Sequence, residues 1–276
     1  MSINRNSSLD FRSILGAKPD IVDRGNKISP RSEMVENVRP GNSTTITIKS
    51  TTTNLLSLDL DGSKHAYHPN DEGIEFNVVG GINKEEALRN EFRERRGYGI
   101  AKYRVSGQTF FKGFLQPNGY FVSQTTLVFK NIPNSDPEKY VDSESVPYLA
   151  VNPFFRNAGV KEGDIGYIVN ETNGLSSFAI FADYKNKTGT EISLALTFNL
   201  EIPVFRKNAH SYDGRKIVVK YNGIENRKLK IYGFKGSGNG FAKTASEIQA
   251  LGDILKKKFL NDDQHIFHLK SDERMM

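Results

Sequence analysis

Hydrophobic residues recur along this chain with a period of two far more often than with a helical period. From Leu175 to Asp183, Phe178, Ile180 and Ala182 fall on one face of an extended segment, and Ala179, Phe181 and Asp183 fall on the other. Gly163 to Val169 forms a second strand, and the Asn173-Gly174 pair between the two runs predicts a hairpin. The stretch STTITIKSTTT, Ser43 to Thr53, alternates Thr with Ile and predicts another strand. LLSLDLDGS continues the sheet and turns at Asp61-Gly62, and KIVVKYNG and RKLKIYGF predict two further strands. Residues 97–130 read as short strands divided by Gly turns.

A helical period is confined to three places. NKEEALRNEFRERR, Asn83 to Arg96, predicts a charged, exposed helix. ISLALTFNL predicts a short one, with Thr190 as N-cap and Glu191 as its first residue. Ala245 to Phe259 predicts a third, where Thr244 and Glu247 have the spacing of a capping box. Many short strands and few helices make this a mainly β protein. Residues 1–40 are polar and lack a period, which predicts an extended or poorly ordered N-terminal arm. The β domain is then expected over 41–260, followed by a polar C-terminal tail, 261–276.

Charge changes the picture once it is divided along the chain. The net of +6 is made of +3 over residues 1–53, −4 over 54–205 and +7 over 206–276. The central segment therefore suits a cationic ligand, and the basic C-terminal part reads as a solvated face. There is no Cys, which excludes disulfide and thiolate chemistry. The first residues lack the apolar stretch of a signal peptide, and no apolar run approaches the ~20 residues of a membrane span. The expectation is a protein that is cytoplasmic or exported by a non-classical route, with no membrane partner and with nucleic acid not the expected ligand.

The candidate chemistry lies in carboxylates. Asp183 ends a strand, the turn YKNKTG follows, and Glu191 comes next, so two carboxylates are held close together. One to protonate the leaving oxygen and one to activate water or attack the sugar are what glycoside hydrolysis needs. Ordinary turn chemistry and helix-dipole compensation would also explain them, and spacing alone does not decide. Asp59 and Asp61 lie two apart, sharing one face of a strand, as a sugar subsite or as part of a turn. His65 and His68 have the spacing of a metal pair, but Pro69 follows and no third ligand is suitably spaced. Tyr67 and His68 are read instead as sugar-facing, and neither metal nor cofactor is expected. GSGNG, Gly236 to Gly240, lacks the full spacing of a nucleotide loop and reads as a loop feeding the last helix.

Several of these segments, taken in order, resemble the family 75 glycoside hydrolases, the fungal-type chitosanases and their bacterial relatives. LDLDGSKHAYHPNDEG, Leu58 to Gly73, resembles that family's early D-x-DG and AYHP segment. GYFVSQTTL, Gly119 to Leu127, resembles one of its strands. YVDSESVPYLAVNP and the run through GDIGYIVNETNGLSSFAIFAD resemble the approach to its catalytic aspartate, and GTEISLAL resembles the helix start beyond it. The likeness covers about 54–203. The chain departs from the pattern at Tyr184 and Lys185, where the family often has Gly-Pro, and it has no Trp.

The resemblance implies an endo-acting, chitosanase-like hydrolase that cleaves β-1,4 bonds of an amino-sugar polymer with inversion. Asp183 and Glu191 would be catalytic, with Glu191 as acid and Asp183 as base. Asp59, Asp61, Tyr67, His68 and Asp71 would bind the polysaccharide. The strand, Asp, turn, helix order also resembles double-psi barrels, so the expected core is a six-stranded double-psi-like β-barrel with peripheral helices. Two alternatives stay open: a peptidoglycan-cleaving enzyme of the phage-tail or toxin-cargo kind, and a non-catalytic carbohydrate-binding or structural protein.

Overall fold

Most of the alternating segments are strands, and they are joined in one sheet. The computed structural model describes residues 47–53, 56–70, 72–75, 84–97, 99–185, 189–204 and 228–259, which belong to a single compact unit. The predicted arm and tail, Asp71, the KIVVKYNG segment and the start of the first predicted strand lie outside the described residues. The strands are β1 (Thr47–Thr53), β2 (Leu56–Asp59), β3 (Lys102–Arg104), β4 (Phe111–Gly113), β5 (Tyr148–Val151), β6 (Ile165–Asn170), β7 (Ser176–Tyr184), β8 (Thr190–Ser193) and β9 (Leu229–Lys235). Seven form a curled half-barrel sheet in the order β1-β9-β6-β7-β5-β8-β2, while β3 and β4 pair separately. The fold is mainly β with few helices.

The β6–β7 hairpin forms where Asn173-Gly174 predicts it, with Gly174 at φ 78° and the Asn170 N–H donating to Leu175 O at 2.8 Å. The pairs β7–β5 and β8–β2 are parallel, whereas β1–β9, β9–β6 and β6–β7 are antiparallel. Both sheet faces are covered. Tyr148, Ile165, Phe178, Ile180 and Phe234 pack beneath the last helix, whose Ile248, Leu251 and Leu255 form one buried stripe. That helix spans Ala245–Phe259 and has the predicted capping box: the Thr244 N–H donates to Glu247 Oε2 at 2.7 Å. Among the described residues no helix is long and apolar enough to cross a membrane.

Two helix expectations are corrected. The first helix, α1, spans only Lys84–Arg89 rather than 83–96. Asn90 turns left-handed at φ 52°, and its side chain pairs with the backbone of Gly113, donating to the carbonyl and accepting from the N–H. Phe92 is then fully buried in a bridge with Phe111, so apolar burial overrides the helix propensity of the charged run. The second correction matters more. Thr190 and Glu191 do not start a helix but belong to β8, paired in parallel with β2. The short helix α3 (Leu194–Asn199) follows α2 (Pro153–Asn157) in the chain and is capped by Ser193, with α4 being the Ala245–Phe259 helix. The β-branched Thr190 and Ile192 suit a strand, and Ser193 is the better cap.

Ser193 also ties the sheet together. Its hydroxyl donates to Val146 O at 2.9 Å and accepts from the Tyr148 N–H at 2.9 Å and the Leu196 N–H at 3.2 Å. Ser193→Ala should therefore cost about 1–3 kcal/mol, since a buried N–H loses its partner along with the cap. Urea unfolding should show a lower midpoint with an unchanged slope, while the exposed Ser106→Ala leaves the midpoint in place. Equal midpoints for the two variants would refute the role assigned to Ser193.

Candidate active site

Leu56, Leu58 and Leu60 are each at most 2% exposed, so β2 and its continuation turn these three residues into the core. Alternation then forces Ser57, Asp59 and Asp61 to the opposite face, as expected for the two aspartates. They are also joined locally. The Asp61 N–H donates to Asp59 Oδ1 at 3.0 Å, and the Tyr148 hydroxyl donates to Asp61 O at 2.9 Å. Tyr67 is buried, and its hydroxyl donates to Asp61 Oδ1 at 2.7 Å, so it acts on the site through Asp61. Gly99 packs against this pair: a Cβ there would come within 2.5 Å of both Asp61 Oδ1 and the Tyr67 hydroxyl.

Asp183 joins the same face because of a bulge. Tyr148 and Leu149 of β5 face Ile180 and Phe181 of β7, but Ala150 faces Asp183, leaving Ala182 as an extra residue. A regular ladder would place Asp183 opposite Val151 and on the other face. With the bulge it shares the face of Ala150, and through β5 and β8 that of Glu191 and Asp59. Asp183 Oδ1 accepts from the Thr126 hydroxyl at 2.6 Å and from the Tyr184 N–H at 2.7 Å. Glu191 stands beside Ser57 in the β8–β2 register. Lys185 Nζ lies 2.7 Å from Glu191 Oε1 and 3.5 Å from Ser57 Oγ.

Four carboxylates from three segments thus act on one another. Burial, then the charges of Asp61 and Asp183, pushes Asp59 well above the usual carboxylate range. Burial raises Asp61 to about 7, opposed by the Tyr67 hydrogen bond and reinforced by Asp183 and Glu191. Burial also raises Asp183, with the Thr126 and Tyr184 hydrogen bonds opposing and Glu191 reinforcing. Clusters of perturbed carboxyls of this kind mark candidate catalytic sites.

The remaining expected residues fall elsewhere or are not described. His68 packs against Tyr120 with ring centroids 4.9 Å apart, and Tyr120 also meets His65. His65 Nδ1 is 3.0 Å from Glu144 Oε1, which raises the imidazole pKa. Both histidines therefore pack in an aromatic and acidic cluster with Tyr120 and Glu144. Among the described residues no group of three or more metal-ligating side chains is present. Thr126, Lys185 and Glu162 escaped the sequence reading. The departure at Tyr184 and Lys185 was the one signal for Lys185, because it places an amine where the family often has Gly-Pro.

The raised Asp61 has a consequence for stability. Its unfolded pKa is about 3.9 and its folded pKa about 7, so the folded state holds this proton more tightly. The associated stability is full below about pH 4 and is lost as pH rises through about 7, at most about 4 kcal/mol. Asp61→Asn should remove that loss. Urea unfolding between pH 4 and 8 should show the variant gaining on the parent as pH rises, and parallel curves would contradict the burial cost.

No family model matches the chain, and no curated protein matches it either.

Proposed function

We propose that the chain is an endo-acting, chitosanase-like glycoside hydrolase that cleaves β-1,4 bonds of an amino-sugar polymer by an inverting, two-carboxylate mechanism. The observation that supports this best is the convergence of Asp183 and Glu191 on one sheet face, beside Asp59 and Asp61. A retained polycationic chain would be attracted by that acidic group. The motif resemblance over about 54–203 agrees with it. We further propose that the curled half-barrel corresponds to a double-psi-like barrel core, a reading favoured by its parallel β7–β5 and β8–β2 pairs.

The roles proposed are the reverse of those the resemblance implies, in which Glu191 is the acid and Asp183 the base. Glu191 lies on a strand and is held by Lys185 at 2.7 Å, a geometry suited to a carboxylate that accepts a proton. Asp183 is raised by burial and by Glu191, which suits a group that gives one. In this assignment Asp183 protonates the leaving glycosidic oxygen, and Glu191 takes a proton from the attacking water. The C–O bond of the glycoside breaks as water forms the new one from the opposite side. Asp59 and Asp61 would face the amino groups of the polymer. Both keep their side chains on the shared face, while their backbone carbonyls are held by Ser143 and Tyr148.

Asp183→Asn and Glu191→Gln are nearly isosteric and should leave the fold intact. Each should cut reducing-end release from chitosan by at least about a hundredfold, the usual scale for losing acid–base catalysis. Near-parental turnover in either variant would remove that residue from the pair. Parallel assays on purified peptidoglycan separate the wall reading, and binding without release from either polymer would favour a non-catalytic carbohydrate-binding protein.

A further inference from the structure

The two ends of the shared sheet face differ in what stands beside the carboxyls. At one end Lys185 follows β7 and reaches across to β8. Its backbone is fixed on both sides, with its N–H donating to Val151 O at 3.1 Å and its carbonyl accepting from Arg156 Nη2 at 3.1 Å. Its Nζ lies 2.7 Å from Glu191 Oε1 and 3.5 Å from Ser57 Oγ, and its side chain is only 12% exposed. At the other end Asp59 and Asp61 succeed Ser57 at alternate positions. Their side chains meet uncharged donors, the Asp61 N–H on Asp59 and the Tyr67 hydroxyl on Asp61. Asp59 lies about 7 Å along the strand from Ser57, far enough for different groups of a bound chain to face the two ends. Ser57, Asp59, Asp61, Asp183, Lys185 and Glu191 are all half-buried, so none of the row is closed to a ligand.

The chemistry proposed above fixes which part of a sugar comes to Lys185. A water activated by Glu191 lies about 3 Å from its carboxylate and about 3–3.5 Å from the anomeric carbon that it attacks. The nitrogen on C2 belongs to the carbon next to that centre. It is therefore carried into the neighbourhood of the Glu191 carboxylate, the group that Lys185 Nζ already holds. A free amine there is an ammonium facing the Lys185 ammonium in a half-buried site, where like charges repel more strongly than in water. An acetamido group carries no charge, and its carbonyl is an acceptor. Among the described residues the hydrogens of Lys185 Nζ serve Glu191 and, at longer range, Ser57, which leaves one of its three for such an acceptor. At Asp59 and Asp61 the preference reverses. Burial and the neighbouring carboxylates disfavour their charged forms, which an ammonium would offset and an acetamido group would not.

We propose that Lys185 is a specificity-determining residue: at the sugar whose anomeric carbon is attacked, it selects an N-acetylated unit over one with a free amine. Asp59 and Asp61 take a free amine further along the same chain. The substrate is then partly N-acetylated chitosan rather than its fully deacetylated form. The proposal rests on the hydrolase reading and on Glu191 as the group that activates water.

The full-length chain is tested on chitosan that bears comparable numbers of acetylated and free units. Digestion in heavy-oxygen water labels each new reducing end, and mass spectrometry reads whether that end is acetylated. Acetylated new ends should exceed free-amine ends by about tenfold or more in the parent. In Lys185→Met the excess should fall to the ratio of units in the polymer, and in Lys185→Arg, which keeps the charge, it should persist. The ratio is read within one digest, so a slower variant, in which Glu191 is less well held, still reports it. An excess of free-amine ends in the parent, an unchanged excess in Lys185→Met, or its loss in Lys185→Arg overturns the proposal. If the parent cleaves no glycan, the hydrolase reading fails, and calorimetry decides the selection. It compares a fully deacetylated and a partly acetylated oligomer on the parent and on Lys185→Met. The variant should shift the affinity ratio toward the deacetylated oligomer by about tenfold. An unchanged ratio, or no binding of either oligomer, overturns selection by Lys185.

Discussion

One extra residue in β7 determines which carboxyls share a face of the sheet. Ala182 has no counterpart in β5, and the half-step it introduces turns Asp183 from the face of Val151 to the face of Ala150. The neighbours in the sheet carry this further. Leu149 faces Ile192, and Ser57 faces Glu191, so Asp183, Glu191 and Asp59 all project to one side. Bulges in parallel pairs are uncommon. This one lies at the strand end, where Gly163 and Asp164 still bond the Phe181 backbone on the opposite edge and anchor the strand before it diverges.

The site that results is electrostatically unfavourable in isolation. Asp59, Asp61 and Asp183 each have their charged form disfavoured by burial and by one another. The surroundings compensate through directed donors more than through opposing charge. Tyr67 serves Asp61, Thr126 and the Tyr184 N–H serve Asp183, and Ser143 and Tyr148 hold the backbone carbonyls beside them. Lys185 is paired with Glu191. Such donors fix position while burial keeps the carboxyls of Asp59, Asp61 and Asp183 raised above the usual carboxylate range. Gly99 and Gly62 admit this packing. A Cβ on Gly62, at φ 82°, would come within 1.8 Å of Val141 O, and the space beside Asp61 is closed by Gly99.

Tyr184 and Lys185 show how a local departure from a motif can be built into a site. The backbone of Tyr184 holds Asp183, its ring lies under Arg156, and its hydroxyl is near Glu162. Lys185 reaches Glu191 and Ser57 while its N–H donates to Val151 O at 3.1 Å. A Gly-Pro pair would supply neither the amine nor the phenol. The two residues therefore give this site a different internal charge balance from the one the motif alone suggests.

The mainly β character, the β6–β7 hairpin and the capped last helix could be read from local pattern, because alternation, Asn-Gly turns and capping boxes act over a few residues. The placement of Asp59 and Asp61 on one face was legible for the same reason, since Leu56, Leu58 and Leu60 fix which way the strand turns. Whether Glu191 belonged to a helix or a strand was not, because TEIS allows both and only pairing with β2 decides between them. The helix at 84–89 stops where Phe92 is buried in a bridge to Phe111, a contact across many residues that no local propensity contains. The bulge at Ala182 and the Lys185–Glu191 pair likewise came only with the tertiary structure. Each depends on register between segments distant in sequence, and register is set by how whole strands bury their side chains together.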